Sequence, residues 1–175
     1  MSELLDRVHA FDEAVEKWLE GHRSDTLDRV LYGLSSAADH GLLWHGLGAV
    51  RAIRRGELGY SFRFSKMLGI ESAITNGVVK SFFRRVRPPD HFANDDPLPY
   101  GMRRPITTSF PSGHAATAFM CAVLLSKGTR GGPFYFSLAA LVAASRVYTR
   151  MHHPSDVAAG AALGLVLGNT VKARF

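Results

Sequence analysis

The chain has 175 residues, 46% of them apolar and 21% charged, with one Cys and a formal charge of +6, a size that fits one domain. A single Cys excludes a disulfide framework and a cysteine zinc cluster. Long apolar stretches among 21 basic and 15 acidic residues exclude a disordered polyampholyte. A mean hydropathy of zero is ordinary for a soluble protein, but an average hides where the charges sit.

Residues 1–21 hold six acids and two bases, a net of −4, so the remaining 154 residues carry +10. Within this acidic leader Leu4, Val8, Phe11, Val15 and Trp18 or Leu19 recur at steps of three and four. That spacing predicts an amphipathic helix over residues 1–24, ending near Gly21 and packing its apolar stripe on the body. It lacks the basic start and unbroken apolar core of a secretory signal.

Beyond residue 25 the charges withdraw from residues 30–38, 40–50, 72–79, 105–126, 131–145 and 157–171. The expectation is an all-α integral membrane bundle over 25–175 with about six spans, near 27–38, 41–54, 62–83, 112–127, 133–149 and 155–172. The apolar cores are short against the ~20 residues of a spanning helix. A water-soluble bundle is the alternative, but three all-apolar helices would need a covering layer that the remaining sequence is too small to make. Six spans would put both termini on one side and the turns at 39–41, 84–110 and 150–154 on the other. Gly160, Gly164 and Gly168 repeat every four residues in the last span, which predicts close approach of another helix of the same chain.

Three polar groups interrupt the apolar pattern at one predicted face: Lys80 with Arg87 and Pro88; Pro111 to His114; and Ser145, Arg146, His152 and Asp156. Ionisable groups at membrane depth mark function. Lys80, Arg87 and Arg146 are enough positive charge for a phosphoryl dianion without a metal. Pro111 would open a helix where Ser112 and Gly113 offer backbone N–H groups and a hydroxyl to an anion, and a side chain at Gly113 would hold phosphate away. His152 lies four residues before Asp156, a spacing that lets a carboxylate hold its ring N–H and suits a nucleophile. His114, on another helix, could protonate the leaving alcohol and then activate water. A lone histidine is ordinarily a solvated or core residue; two beside three cations and a helix start are not explained by chance.

Together KxxxxxxRP (80–88), PSGH (111–114) and SRxxxxxHxxxD (145–156) resemble the complete signature of the type 2 phosphatidic acid phosphatase superfamily. The resemblance implies an α-helical bundle and metal-independent phosphate ester hydrolysis through a phosphohistidine on His152, with His114 as acid and no cofactor. It implies that Lys80, Arg87, Ser112, Gly113 and Arg146 bind the phosphoryl group and that Asp156 orients His152. The apolar motif helices are similar to the small bacterial membrane branch, whose substrates are lipid phosphates and diphosphates. The leader inherits no role.

Arg84, Arg85, Arg103, Arg104 and Arg150 lie on the site face, where they meet anionic lipid heads or hold a second phosphate. Residues 90–96 (DHFANDD) read as a solvated loop before a metal site, Glu71 as paired inside the bundle with a partner such as Lys66 or a neighbouring helix, Cys121 as packing, and Asp39 and His40 as entrance residues. The opposite face carries Arg54, Arg55, Arg63, Lys66, Lys127, Arg130, Lys172 and Arg174, so the positive-inside rule puts it and both termini in the cytoplasm. The expected activity is hydrolysis of a lipid phosphate monoester in the cell membrane. A polyprenyl diphosphate phosphatase and a noncatalytic lipid-binding protein are the alternatives. No basic face with interleaved aromatics supports nucleic-acid binding, and oligomeric state is not indicated.

Overall fold

The computed structural model of the chain describes residues 2–89, 97–102 and 105–175. The loop 90–96 and Arg103 and Arg104 therefore lie outside the described residues. Among the described residues, seven α-helices run in order: α1 (Ser2–Glu20), α2 (Asp25–Ala37), α3 (Leu42–Arg55), α4 (Leu58–Ser72), α5 (Gly113–Ser126), α6 (Gly132–Tyr148) and α7 (Pro154–Val171). Helix α4 continues as a π-helical stretch, Ala73–Val78, and a 3₁₀ turn, Val79–Phe82. No strand occurs among the described residues.

The helix boundaries follow local chemistry. Ser24 caps α2 by accepting from Leu27 N at 3.3 Å. Gly56, at φ 67°, ends α3 in the left-handed conformation that glycine adopts without strain. Pro133 and Pro154 occupy the first turns of α6 and α7, where no N–H is required.

Helix α5 is the axis of the bundle, with ten of its fourteen residues buried. Its sequence is apolar all round, as an innermost helix requires. Helix α7 lies on it at backbone contact. A Cβ at Gly160 would stand 2.3 Å from the Ser112 carbonyl oxygen, and one at Gly164 would stand 2.2 Å from that of Ala116. The glycine repeat is thus an intramolecular seam. At the far end of α5, buried Arg51 of α3 donates to the carbonyls of Leu124, Leu125 and Lys127, satisfying helix-end acceptors that would otherwise be orphaned. Glu71 is held inside the bundle by the hydroxyls of Thr75 and Thr117, and Cys121 is buried packing.

Two expectations change. Residues 27–38 do form a helix, but α2 lies across one end of the bundle instead of along it. Near its start Arg23 donates to the Tyr148 carbonyl and Asp28 accepts from the Tyr148 hydroxyl, while near its end Ser35 accepts from Arg146. Both ends of α2 therefore meet the same end of α6. A helix with one apolar stripe and Asp25, Asp28 and Arg29 in its first turns fits a surface-lying position better than a span. Helix α1 docks at this end too, whereas Lys127 bonds the Lys172 carbonyl at the opposite end. The two termini thus lie at opposite ends of the bundle, because five helices, α3 to α7, run between the ends.

The leader helix also turns two of its six acids, Asp12 and Glu16, toward the bundle. Asp12 is 2% exposed, while Leu4, Phe11 and Trp18 are 66%, 58% and 60% exposed. Val8, Val15 and Leu19 remain half-buried, so one edge of the apolar stripe packs and the other is uncovered. Among the described residues, no helix is long and apolar enough to cross a membrane.

The seam sets the stability test. Gly164→Ala should cost roughly 1–3 kcal/mol by overpacking, lowering the thermal midpoint of the purified protein. Ala161→Ser, on the half-buried neighbouring position, should change it little.

Candidate active site

The site assembles at the end of the bundle that α1 and α2 cover. A cavity of about 480 Å³ is lined there by Lys80, Arg87, Gly113, His114, Arg146 and His152, and it continues past Asp39, His40 and Asn76 along α3 and α4. Six of the eight residues expected from the sequence line this cavity. Ser112 and Asp156, both fully buried, stand directly behind it.

Each position has a local cause. The π-helical stretch of α4 widens the helix beside α5, and the following 3₁₀ turn carries Lys80; such irregular turns recur at functional sites. Lys80 Nζ reaches Thr107 Oγ1 at 3.5 Å and the Thr108 carbonyl at 3.3 Å. Arg87 donates to the carbonyls of Thr107, Thr108 and Met151. Arg146 donates to Ser35 Oγ at 2.5 Å, and its buried Nε has no partner among the described residues. Burial brings Arg87 down to about 10, which leaves it a cation at neutral pH. Ser112 caps α5 through Ala115 N, so the positive end of that helix opens onto the cavity at Gly113 and His114. A Cβ on Gly113 would come within 2.7 Å of Asn76 Oδ1.

His152 sits in the turn between α6 and α7. Its Nε2 is 3.3 Å from Arg87 Nη1. Arginine can only donate, so Nε2 carries the lone pair and Nδ1 carries the proton. Nδ1 faces Asp156 Oδ2 at 3.7 Å and has no hydrogen-bond partner among the described residues. Desolvation, helped by Arg146, Arg87 and Lys80 and opposed by Asp156, holds His152 down to about 3. The imidazole is therefore neutral, with its lone pair beside the cations.

His114 Nε2 meets Asp39 Oδ1 at 2.8 Å. Burial works to raise the Asp39 carboxyl, but the hydrogen bond from His114 and the charge of Arg146 outweigh it and hold it below the usual carboxylate range. The sequence suggests an entrance position for Asp39; its bond to His114, across 75 positions, has no local signal in the sequence.

Arg85 and Arg150 are engaged differently from the expectation. Arg85 bridges two carboxylates, Asp156 at 2.7 Å and Asp12 of α1 at 2.6 Å. Arg150 pairs with Glu16 at 3.5 Å and Glu20 at 3.3 Å. Neither is free to receive a second phosphate or a lipid head. Arg84 is exposed. The acidic face of the leader is thus the counter-charge of the basic site end, which the separate totals of −4 and +10 foreshadow. Among the described residues, no cluster of His, Cys, Asp and Glu could hold a metal ion.

This fold and this site define a helical phosphate-ester enzyme, and known proteins agree. The family model described as the PAP2 superfamily matches residues 62–174, from α4 to the C-terminal turn. The chain is 33% identical over 142 residues to decaprenylphosphoryl-5-phosphoribose phosphatase of Mycobacterium tuberculosis, covering 79% of this chain and 75% of that protein. It is 36% identical over 125 residues to lipid A 1-phosphatase of Porphyromonas gingivalis, covering 65% of this chain but only 25% of that protein. The crystal structure of a transmembrane PAP2-type phosphatidylglycerolphosphate phosphatase from Bacillus subtilis superposes with a TM-score of 0.75 at 26% identity, over 96% of this chain and 86% of that one. The chain belongs to the PAP2 superfamily, and it is a phosphatase of that superfamily.

The held-down imidazole predicts a titration. His152 should stay neutral from about pH 5 to 8, where an ordinary histidine changes charge. Its side-chain ¹⁵N shifts, assigned by loss of the signal in His152→Gln, should not move over that range.

Proposed function

We propose that this protein is a membrane-embedded phosphatase that hydrolyses a lipid phosphate monoester through a phosphohistidine on His152, without a metal. The observation that carries the reading is one cavity holding three buried or half-buried cations, an unpaired Arg146 Nε and a neutral histidine whose lone pair points among them.

Lys80, Arg87 and Arg146 bind the phosphoryl oxygens together with the open end of α5, and preorganised donors of this kind act where charge develops. His152 Nε2 attacks phosphorus in line as the ester oxygen leaves. The Nδ1 proton turns to Asp156, closing the 3.7 Å separation, since such bonds tighten only in the reacting complex. His114 acts as the imidazolium, paired through Nε2–H with the Asp39 carboxylate, and gives the leaving oxygen its second ring proton from Nδ1. It then takes one from the water that attacks the phosphohistidine, and inorganic phosphate is released.

The substrate class follows from the surface. Leu58, Phe62, Ile70, Val78, Phe82, Phe134, Leu141 and Val166 are large apolar side chains left exposed on α4, α6 and α7, which a bilayer would cover. Helices α3 to α7 are the spanning set in this reading, and the bilayer thins to match their short apolar cores. The opposite end carries Arg54, Arg55, Lys127, Arg130, Lys172 and Arg174, which the positive-inside rule places in the cytoplasm with the C-terminus. The site and the N-terminus then face the other compartment. The relatives' named substrates, lipid A and a decaprenyl-linked phosphoribose, pair a phosphate with a lipid in the same way. A diphosphate substrate is the weaker reading, because Arg85 and Arg150 are already neutralised by carboxylates.

Purified protein in detergent tests this with monophosphates and diphosphates on diacylglycerol and polyprenyl tails. The monophosphates should release phosphate fastest, and a chelator should leave the rate unchanged. His152→Ala and His114→Ala should each lower kcat by 10³-fold or more, roughly the scale for losing a nucleophile or its acid. Loss of activity with chelator, or full activity in either variant, contradicts the mechanism. Asp39→Asn should slow an alkyl phosphate by about 10- to 100-fold, but p-nitrophenyl phosphate, whose leaving group needs no proton, far less.

A further inference from the structure

The leader helix is wired into the nucleophile's support. Asp12 accepts from Ser155 N at 2.8 Å and from Ser155 Oγ at 2.6 Å. Ser155 is the second residue of α7, so a carboxylate on α1 serves the N-terminus of another helix, where negative charge is stabilising. The other link is Arg85. One arm of its guanidinium takes Asp12 Oδ2 and the other takes Asp156 Oδ1. Asp156 Oδ2 accepts from His153 N at 2.9 Å, and that same oxygen faces the proton-bearing Nδ1 of His152. The Asp156 carboxylate is thus clamped on both oxygens, and one of the two clamps ends on the leader.

Burial gives these links their weight. Asp12 and Asp156 are 2% and 0% exposed, and a buried carboxylate must have its partners. Without the Asp12 charge, Arg85 would lose its second anchor and could rotate away from Asp156 toward solvent. The remaining leader ion pairs among the described residues, Glu16 with His153 and Arg150, and Glu20 with Arg150, keep α1 docked together with the packing of Leu19, without touching Asp156.

We infer that Asp12 is a positioning residue of this phosphatase: acting through Arg85 and through the first turn of α7, it fixes the Asp156 carboxylate against His152. The inference rests on the phosphohistidine reading for its effect on rate, and on geometry alone for its effect on His152. The leader is therefore part of the active site's frame, and its acidic face serves that role while its apolar edge remains exposed.

The test uses the full-length protein in detergent with dioleoyl phosphatidic acid as substrate, and ¹⁵N-histidine spectra as a readout that needs no turnover. Asp12→Asn should lower kcat about 10- to 100-fold, the scale for a small misplacement of a reacting group, with KM within about twofold because Lys80, Arg87 and Arg146 are untouched. It should shift His152 from the single Nδ1–H tautomer to a mixture. In an Asp156→Asn background the same change should have little further effect, as expected for residues acting as a unit. Glu20→Gln, which loosens a leader contact that does not reach Asp156, should leave kcat unchanged. If Asp12→Asn does not fold, Arg85→Gln replaces it, since it leaves Asp12 on Ser155. The inference is overturned by wild-type kcat and tautomer in Asp12→Asn, by equal losses with and without Asp156, or by an equal loss in Glu20→Gln. A wild-type protein that releases no phosphate from this lipid would sink the lipid-monophosphate reading instead, and the tautomer alone would then decide the role of Asp12.

Discussion

The site depends on how closely α7 can approach the start of α5. Ser112 N donates to the Asp156 carbonyl at 3.0 Å, and Gly160, one turn further along α7, lies where any side chain would strike the Ser112 carbonyl. This backbone contact puts the turn bearing His152 beside the helix start bearing Gly113 and His114. It is a packing constraint before it is a chemical one, because interiors transmit such displacements instead of absorbing them. The same seam continues down α7 at Gly164 and Gly168, so the geometry at the site is held by the whole length of two helices.

Around that contact the charges divide into two sets. Arg85 and Arg150 are matched by carboxylates of α1 and α7, which makes them structural. Lys80 and Arg87 are held by backbone carbonyls and a threonine hydroxyl, groups that orient a cation without cancelling its charge. Among the described residues, the carboxylate that Arg146 pairs with is the distant edge of Asp39, at 3.9 Å. An anion entering the cavity therefore meets charge that the protein has desolvated and aimed but left largely uncompensated, the condition under which electrostatic stabilisation is strongest.

Much of this was legible in the sequence because the informative residues are local. PSGH and HxxxD each fall within one turn and one helix start, and the apolar runs bounded by Gly and Pro located the helices within a few residues. What escaped reading is tertiary. Residues 30–38 lack charge, so α2 resembled a span, although Asp25, Asp28 and Arg29 at its start fit the surface position it takes. Asp12 is one acid among six in the leader, and nothing near it distinguishes it from a solvated residue; its partner Arg85 lies 73 positions away. The leader's apolar stripe was visible, but which edge of it faced the bundle depended on charges elsewhere in the chain.

A bond between His152 Nε2 and phosphorus is tested most directly by quenching the protein during turnover of a ³²P-labelled lipid phosphate and mapping the label after alkaline digestion. A phosphohistidine intermediate gives acid-labile, base-stable label on the peptide containing His152, absent from His152→Ala and turning over when unlabelled substrate is chased in. Phosphate release at full rate with no label on that peptide at any quench time would contradict it.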